Sequence, residues 1–128
     1  DACMPAPGCG RRARGNALIV DDTAENGGPG DGFRPTALLM GGLGACMIGT
    51  MINFANNQGI SVSNISMTLE DEPAQHPDRI GIINAVMHLE TDADDRRRAS
   101  LERVAGACKI HNTLEQGPEI RFVFQANG

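Results

Sequence analysis

The side chains with most chemistry to offer are four cysteines, Cys3, Cys9, Cys46 and Cys108, and three histidines, His76, His88 and His111. A cysteine attacks as its thiolate, so a reactive one needs a positive charge, a helix N-terminus or a metal beside it. Cys46 falls about three turns inside a helical stretch, beyond the first turn over which that helix's own dipole acts. Activation therefore has to come from elsewhere in the fold, and an Arg is the expected source. By residue type alone, an inert core cysteine is the commoner fate for Cys46 and equally for Cys108. No C-x-x-C pair marks a thioredoxin-like dithiol, and Cys3 and Cys9 sit in a Pro/Gly-rich end expected to be disordered.

Metal binding competes for the same side chains, but the spacing suits it poorly. Cys108-x-x-His111 brings two ligands together where a structural zinc site needs four, and His88 reads as an exposed strand residue. There is no G-x-S-x-G, H-E-x-x-H or P-loop pattern to indicate a hydrolase, a zinc protease or a nucleotide site. Neither metal nor cofactor is expected.

The 128 residues suit one compact domain over 11–128, with residues 1–10 as a flexible N-terminus. A net charge of −5 and the absence of Trp and Tyr argue against a nucleic-acid partner, which needs clustered cations and often aromatic platforms. The basic runs Arg11-Arg12-Ala13-Arg14 and Arg96-Arg97-Arg98 are exceptions, the second read as a solvated face beside Asp92, Asp94 and Asp95. The N-terminal residues lack the apolar stretch and cleavage site of a secretory signal, so a cytoplasmic location is expected. In that compartment cysteines serve catalysis, metal binding or burial more often than a disulfide framework.

The elements that must position these residues follow from periodicity and punctuation. Asn16 to Asp21 reads as a strand, and a Gly-rich loop follows. Pro35 suits the first position of a helix, which runs through Thr36 to about Asn57 before Gly59 stops it. The stretch 37–55 carries no charge and is nearly long enough to span a membrane. Its four glycines, with Thr50 and Asn53, argue against that and favour a core helix covered on every side. Gly41, Ala45 and Gly49 form a stripe of small residues that another backbone could approach, and the short chain cannot easily surround such a helix, so a dimer is expected. Strands are expected from Ile60 to Leu69, broken near Asn64, and over 79–91, with a loop at 71–78 between them. A helix capped by Thr91 or Asp92 places Leu101, Val104, Ala105 and Cys108 on one inward face, and Ile120, Phe122 and Phe124 alternate as a closing strand. This order predicts an α+β fold with a mainly antiparallel sheet.

Taken together, these segments resemble the OsmC/Ohr family, in its OsmC-like subgroup. Arg14-Gly15 with Leu18-Ile19-Val20-Asp21, Gly27-Gly28, Gly32-Phe33-Arg34-Pro35 and Leu38 to Cys46 resemble the first half of the domain. Ala107-Cys108-Lys109-Ile110-His111-Asn112-Thr113-Leu114 resembles the segment around the family's second cysteine, and the likeness extends from about Arg12 to Phe124. The resemblance implies an antiparallel sheet wrapped around the long central apolar helix, and an intertwined homodimer with active sites at the subunit interface. It also implies a thiol peroxidase acting on organic hydroperoxides or hydrogen peroxide. In that scheme Cys46 becomes a sulfenic acid, Cys108 condenses with it to a disulfide, and an external dithiol reduces the product. Arg14 corresponds to the arginine that stabilises the thiolate, with Arg34 as second choice, and Thr36 and His111 as supporting residues.

The chain departs from the family pattern at one point. A Glu commonly opens the central helix and pairs with the active-site arginine, whereas Thr36 and Ala37 stand here; Glu25 or Asp31 in the preceding loop are the available substitutes. Two rival readings remain beside the peroxidase: a non-enzymatic dimer that binds an apolar small molecule around inert cysteines, and acyl or electrophile chemistry at Cys46 alone.

Overall fold

The computed structural model describes residues 9–13, 16–20 and 32–126. The elements are β1 (Cys9–Ala13), β2 (Asn16–Val20), α1 (Pro35–Gln58), β3 (Val62–Ala74), β4 (Arg79–Thr91), α2 (Asp95–Ala105) and α3 (Lys109–Gln116). β1 and β2 pair antiparallel, with Cys9 opposite Val20 and Ala13 opposite Asn16, so the first strand begins inside the stretch read as a flexible end. β3 and β4 form a second two-stranded sheet. The chain packs as two compact units, Asp1–Gly44 with Met67–Val86 and Ala45–Ser66 with Met87–Gly128.

α1 has the limits its punctuation predicts. Leu38 N–H donates to the Arg34 carbonyl at 3.0 Å, which opens the helix around Pro35. At its end Gly59 takes a left-handed φ of 68°, and Ile60 N–H reaches back to the Ala55 carbonyl at 2.9 Å, a Schellman closure sealed by burial of Ile60. The covering of this helix differs from expectation. Only 22% of its most apolar window is buried, at a mean hydropathy of 1.6, and Gly41, Gly42, Ala45 and Gly49 are exposed. By length and composition α1 could cross a membrane; the described residues do not enclose it on every side.

In the first unit, Met40 and Leu43 are buried. A Cβ on Gly44 would stand 2.9 Å from Leu69 Cδ1, so the helix backbone approaches the sheet closely there. β3 continues to Ala74, through half of the segment expected to be a loop. Only a four-residue turn then joins it to β4, where Arg79 Nη1 donates to the Gln75 and Pro77 carbonyls at 2.9 and 3.1 Å.

In the second unit, Met51, Ala55, Ile60, Ala93, Leu101 and Ala105 form the core, with Ile52, Phe54, Val62, Ile65, Met87 and Leu89 packed against them. The expected break in β3 is Asn64, whose φ is 51° and whose Nδ2 donates to Glu90 Oε2 at 2.7 Å. α2 is capped by Asp94, not by Thr91 or Asp92: Asp94 Oδ1 accepts from Arg97 N–H at 2.9 Å. Thr91 instead donates through Oγ1 to the Ser61 carbonyl at 2.7 Å. The arginine run is more than a solvated face. Arg97 Nη2 donates to the Gln58 carbonyl at 3.2 Å, at the negative end of α1, and Arg98 Nε to the Ala93 carbonyl at 2.9 Å.

Two expectations for the C-terminal third are corrected. Cys108 does not lie on α2, because the chain leaves the helix at Gly106 and restarts as α3. Residues 117–126 form no strand, and Ile120, Phe122 and Phe124 are 86%, 83% and 79% exposed. Their alternation is genuine, but a strand also needs a neighbour to receive its backbone hydrogen bonds, and none lies beside this segment among the described residues.

Candidate active site

The second unit brings Cys46 of α1 together with Cys108 at the start of α3. Both are free thiols; Cys46 is half-buried and Cys108 is 1% exposed. Each thiol influences the acidity of the other. The pairing arises from local structure at each end. On α1, Cys46 and Thr50 are one turn apart and share a face, and the Thr50 hydroxyl favours the Cys46 thiolate.

At the other end, the break between α2 and α3 is what makes the site. Cys108 has an extended backbone, with φ −73° and ψ 159°, and serves as the N-cap of α3. A helix leaves its first four N–H groups without intrahelical carbonyls, and in α3 the first regular helical bond is that of Asn112. Asn112 N–H donates to the Cys108 carbonyl at 3.0 Å, and His111 N–H to Cys108 Sγ at 3.3 Å. The N–H groups of Lys109 and Ile110 favour the thiolate of Cys46. The opening amides of one helix are thus divided in their influence between two sulfurs, one of them on another helix.

This division separates the acidities of the pair. Cys46 lies below the ordinary thiol value of 9.0, chiefly because Ile110 N–H stabilises the thiolate; burial opposes this, and Cys108, Thr50 and Lys109 reinforce it. Cys108 lies above 9.0, because burial penalises its charged form, and a charge on Cys46 raises it further. One sulfur is prepared to be an anion and its neighbour to remain a thiol. The sequence pointed to an arginine as the source of activation, and Arg14 lies outside the described residues; the α3 main chain also favours the Cys46 thiolate. Gly106, two residues before Cys108, was the available signal, since a glycine there can end one helix and leave a cysteine to cap the next.

Of the other residues singled out in the sequence, His111 is at this site: its Nε2 lies 2.6 Å from Glu115 Oε1, and its Nδ1 contacts the Gly106 carbonyl. Arg34, exposed, and Thr36, half-buried, stand at the start of α1 in the first unit. Arg14, Glu25, Asp31 and Cys3 lie outside the described residues. Among the described residues, no group of three or more His, Cys, Asp or Glu side chains is gathered to hold a metal ion.

Comparison with known proteins agrees with this architecture. Residues 28–123 match the family model for OsmC-like proteins. No curated protein matches the chain. Among solved structures, it is similar to a Psychrobacter arcticus protein assigned to osmotic stress and detoxification response, with 20% identity over 88% of this chain and 85% of that one and a TM-score of 0.79. It is also similar to an organic hydroperoxide resistance protein OsmC of Legionella pneumophila, with 23% identity, coverage of 89% and 85%, and a TM-score of 0.64. A third is a Vibrio cholerae protein assigned to organic hydroperoxide resistance, with captopril in one of its active sites, at 19% identity, coverage of 91% and 83%, and a TM-score of 0.65. At these identities the solved structures establish the fold, an α+β arrangement of helices and antiparallel strands, and the family match extends over most of the sequence. The chain belongs to the OsmC-like family.

Proposed function

We propose that this protein is a thiol-dependent peroxidase that reduces organic hydroperoxides through Cys46 and Cys108. The observation that carries the reading is a pair of free thiols that influence each other and are shifted in opposite directions, Cys46 to lower and the buried Cys108 to higher values. Membership in the OsmC-like family, with structural relatives named for hydroperoxide resistance, supports a redox or stress-related role.

The Cys46 thiolate attacks the terminal peroxide oxygen, the O–O bond breaks, and the alkoxide leaves and takes a proton to become an alcohol. Cys46 is then a sulfenic acid. The Cys108 sulfur attacks it, water leaves, and a Cys46–Cys108 disulfide forms. An external dithiol restores both thiols by exchange and is itself oxidised to a disulfide. By the family resemblance, Arg14 is the arginine that stabilises the Cys46 thiolate and orients the peroxide, with Arg34 as the alternative.

A second copy of the chain completes the fold in this reading. The exposed stripe on α1, the outward Ile82 and Val86 of β4 and the bare apolar residues of 120–124 are surfaces that a homodimer would cover.

The test is stoichiometric cumene hydroperoxide added to reduced protein, followed by non-reducing peptide mass mapping. One Cys46–Cys108 disulfide per chain is expected. Two free thiols after treatment would overturn the proposal.

A further inference from the structure

α3 has eight residues, none of them buried, so packing does not fix its position, yet it begins on a sulfur that solvent barely reaches. Two bonds from a single residue meet around that sulfur. The main-chain N–H of His111 donates to Cys108 Sγ at 3.3 Å, and the His111 ring bonds through Nδ1 to the Gly106 carbonyl. Gly106 closes α2, where the last carbonyls lack intrahelical donors, and a carbonyl oxygen can only accept, so the ring is the donor there. The other ring nitrogen, Nε2, lies 2.6 Å from Glu115 Oε1, one turn along α3, and Cε1 stands 4.0 Å from the point a Cβ on Gly106 would occupy. The ring is thus held at both nitrogens, and Cys108 lies inside the loop that it closes. A second tie across the link, Asn112 Nδ2 to the Ala107 carbonyl, is longer at 3.3 Å and exposed. A bond from N–H to sulfur weakens steeply as its angle drifts, so it fixes the sulfur only while the link between the helices keeps its shape.

We propose that His111 is a positioning residue for Cys108: its ring closes the link between α2 and α3, and its main-chain N–H then holds the Cys108 sulfur in one orientation. The consequence rests on the proposed role of Cys108 as the thiol that attacks the Cys46 sulfenic acid. In that step the S–S bond forms, and the sulfenic hydroxyl leaves with the Cys108 proton as water. A sulfur already held in one rotamer has less freedom to lose on reaching it. The Cys-x-x-His spacing thereby gains a role that needs no metal.

The experiment measures hydrogen-exchange protection of the residue-111 amide by NMR in the reduced full chain. Wild type is compared with His111→Phe, His111→Asn and His111→Gln, each with and without Cys108→Ala. Phe keeps the ring's bulk without a donor, Asn places an N–H where Nδ1 stood, and Gln places one where Nε2 stood. His111→Phe should lower protection about fivefold, the equivalent of one ordinary hydrogen bond. His111→Asn should restore it and His111→Gln should not. With Cys108→Ala the amide has no sulfur to reach, so His111→Phe should add little. Unchanged protection in a folded His111→Phe protein overturns the proposal. So does an equal loss with and without Cys108→Ala, which marks a merely structural histidine. If His111→Phe fails to fold, the other two decide: equal protection, or rescue by Gln alone, overturns it. Single-turnover cumene hydroperoxide then reads the consequence: His111→Phe should form the Cys46–Cys108 disulfide more slowly by a similar factor, and the wild-type rate in that variant overturns the proposal. A wild-type protein that forms no disulfide with hydroperoxide removes the proposed activity, and the exchange measurements, which use no peroxide, then decide the positioning alone.

Discussion

Of the groups around the Cys46 thiol, the main-chain N–H of Ile110 has the largest influence on its acidity, drawing it below the ordinary 9.0. Because that N–H is backbone, no substitution at position 110 other than proline removes it directly. The site is therefore tested through the side chains around the thiol.

The first prediction concerns the order of reaction. Cys46 lies below 9.0 and Cys108 above it, so at pH 7 to 8 iodoacetamide should label Cys46 well before Cys108. Mass spectrometry of timed digests measures this directly. The same shift affects stability: between the folded Cys46 value and 9.0 the unfolded chain binds the extra proton, so the contribution of Cys46 grows as pH rises and is lost as pH falls through the folded value. Cys108 behaves oppositely, its contribution being present below 9.0 and lost as pH climbs towards its raised value.

Thr50→Val should separate hydroxyl from shape. It removes one donor to the Cys46 thiolate while nearly preserving volume. Loss of one such bond, roughly 1 kcal/mol, corresponds to a several-fold fall in Cys46 labelling rate at pH 7. The rate at pH 10, where both forms are ionised, should barely change.

Replacing Cys108 should distinguish its capping from its redox role. Serine also caps a helix, so Cys108→Ser should keep most of the stability, whereas Cys108→Ala loses the acceptor for His111 N–H and should cost about 1 kcal/mol by urea denaturation. After hydroperoxide treatment, Cys108→Ser should accumulate a Cys46 sulfenic acid that dimedone traps, with no disulfide.

The stripe on α1 gives a prediction about assembly. A Cβ on Gly41 or Gly49 would meet nothing within 4 Å in a single chain, so alanine at either site should strengthen the isolated helix by up to about 1 kcal/mol. Under the proposed dimer, Gly49→Leu should instead shift the protein towards monomer in light scattering at unchanged helix content.

Much of this fold was legible because its punctuation is local. Pro35 and Gly59 set the limits of α1, β4 spans the expected 79–91, and the break near Asn64 is a left-handed residue. The meeting of Cys46 and Cys108 came from the resemblance of two segments, since no spacing rule places residues so far apart side by side. The place of Cys108 as the cap of a new helix was missed because the apolar period runs on from Leu101 through Cys108 while the backbone breaks at Gly106; a face rule cannot detect a new helix start inside its own repeat. The closing strand was misread for a related reason, since alternation records which faces differ and not which neighbour supplies the hydrogen bonds.

The burial of Cys108 bears on how such a pair would be recycled. In a Cys46–Cys108 disulfide the easier departure belongs to Cys46, so an incoming thiol gains most by striking sulfur 108. That atom is the one solvent barely reaches. The exposed sulfur offers easy approach with a reluctant leaving partner, and the hidden one the reverse. A generic small thiol should regenerate such a pair slowly, and an efficient reductant must be one whose docking uncovers Cys108.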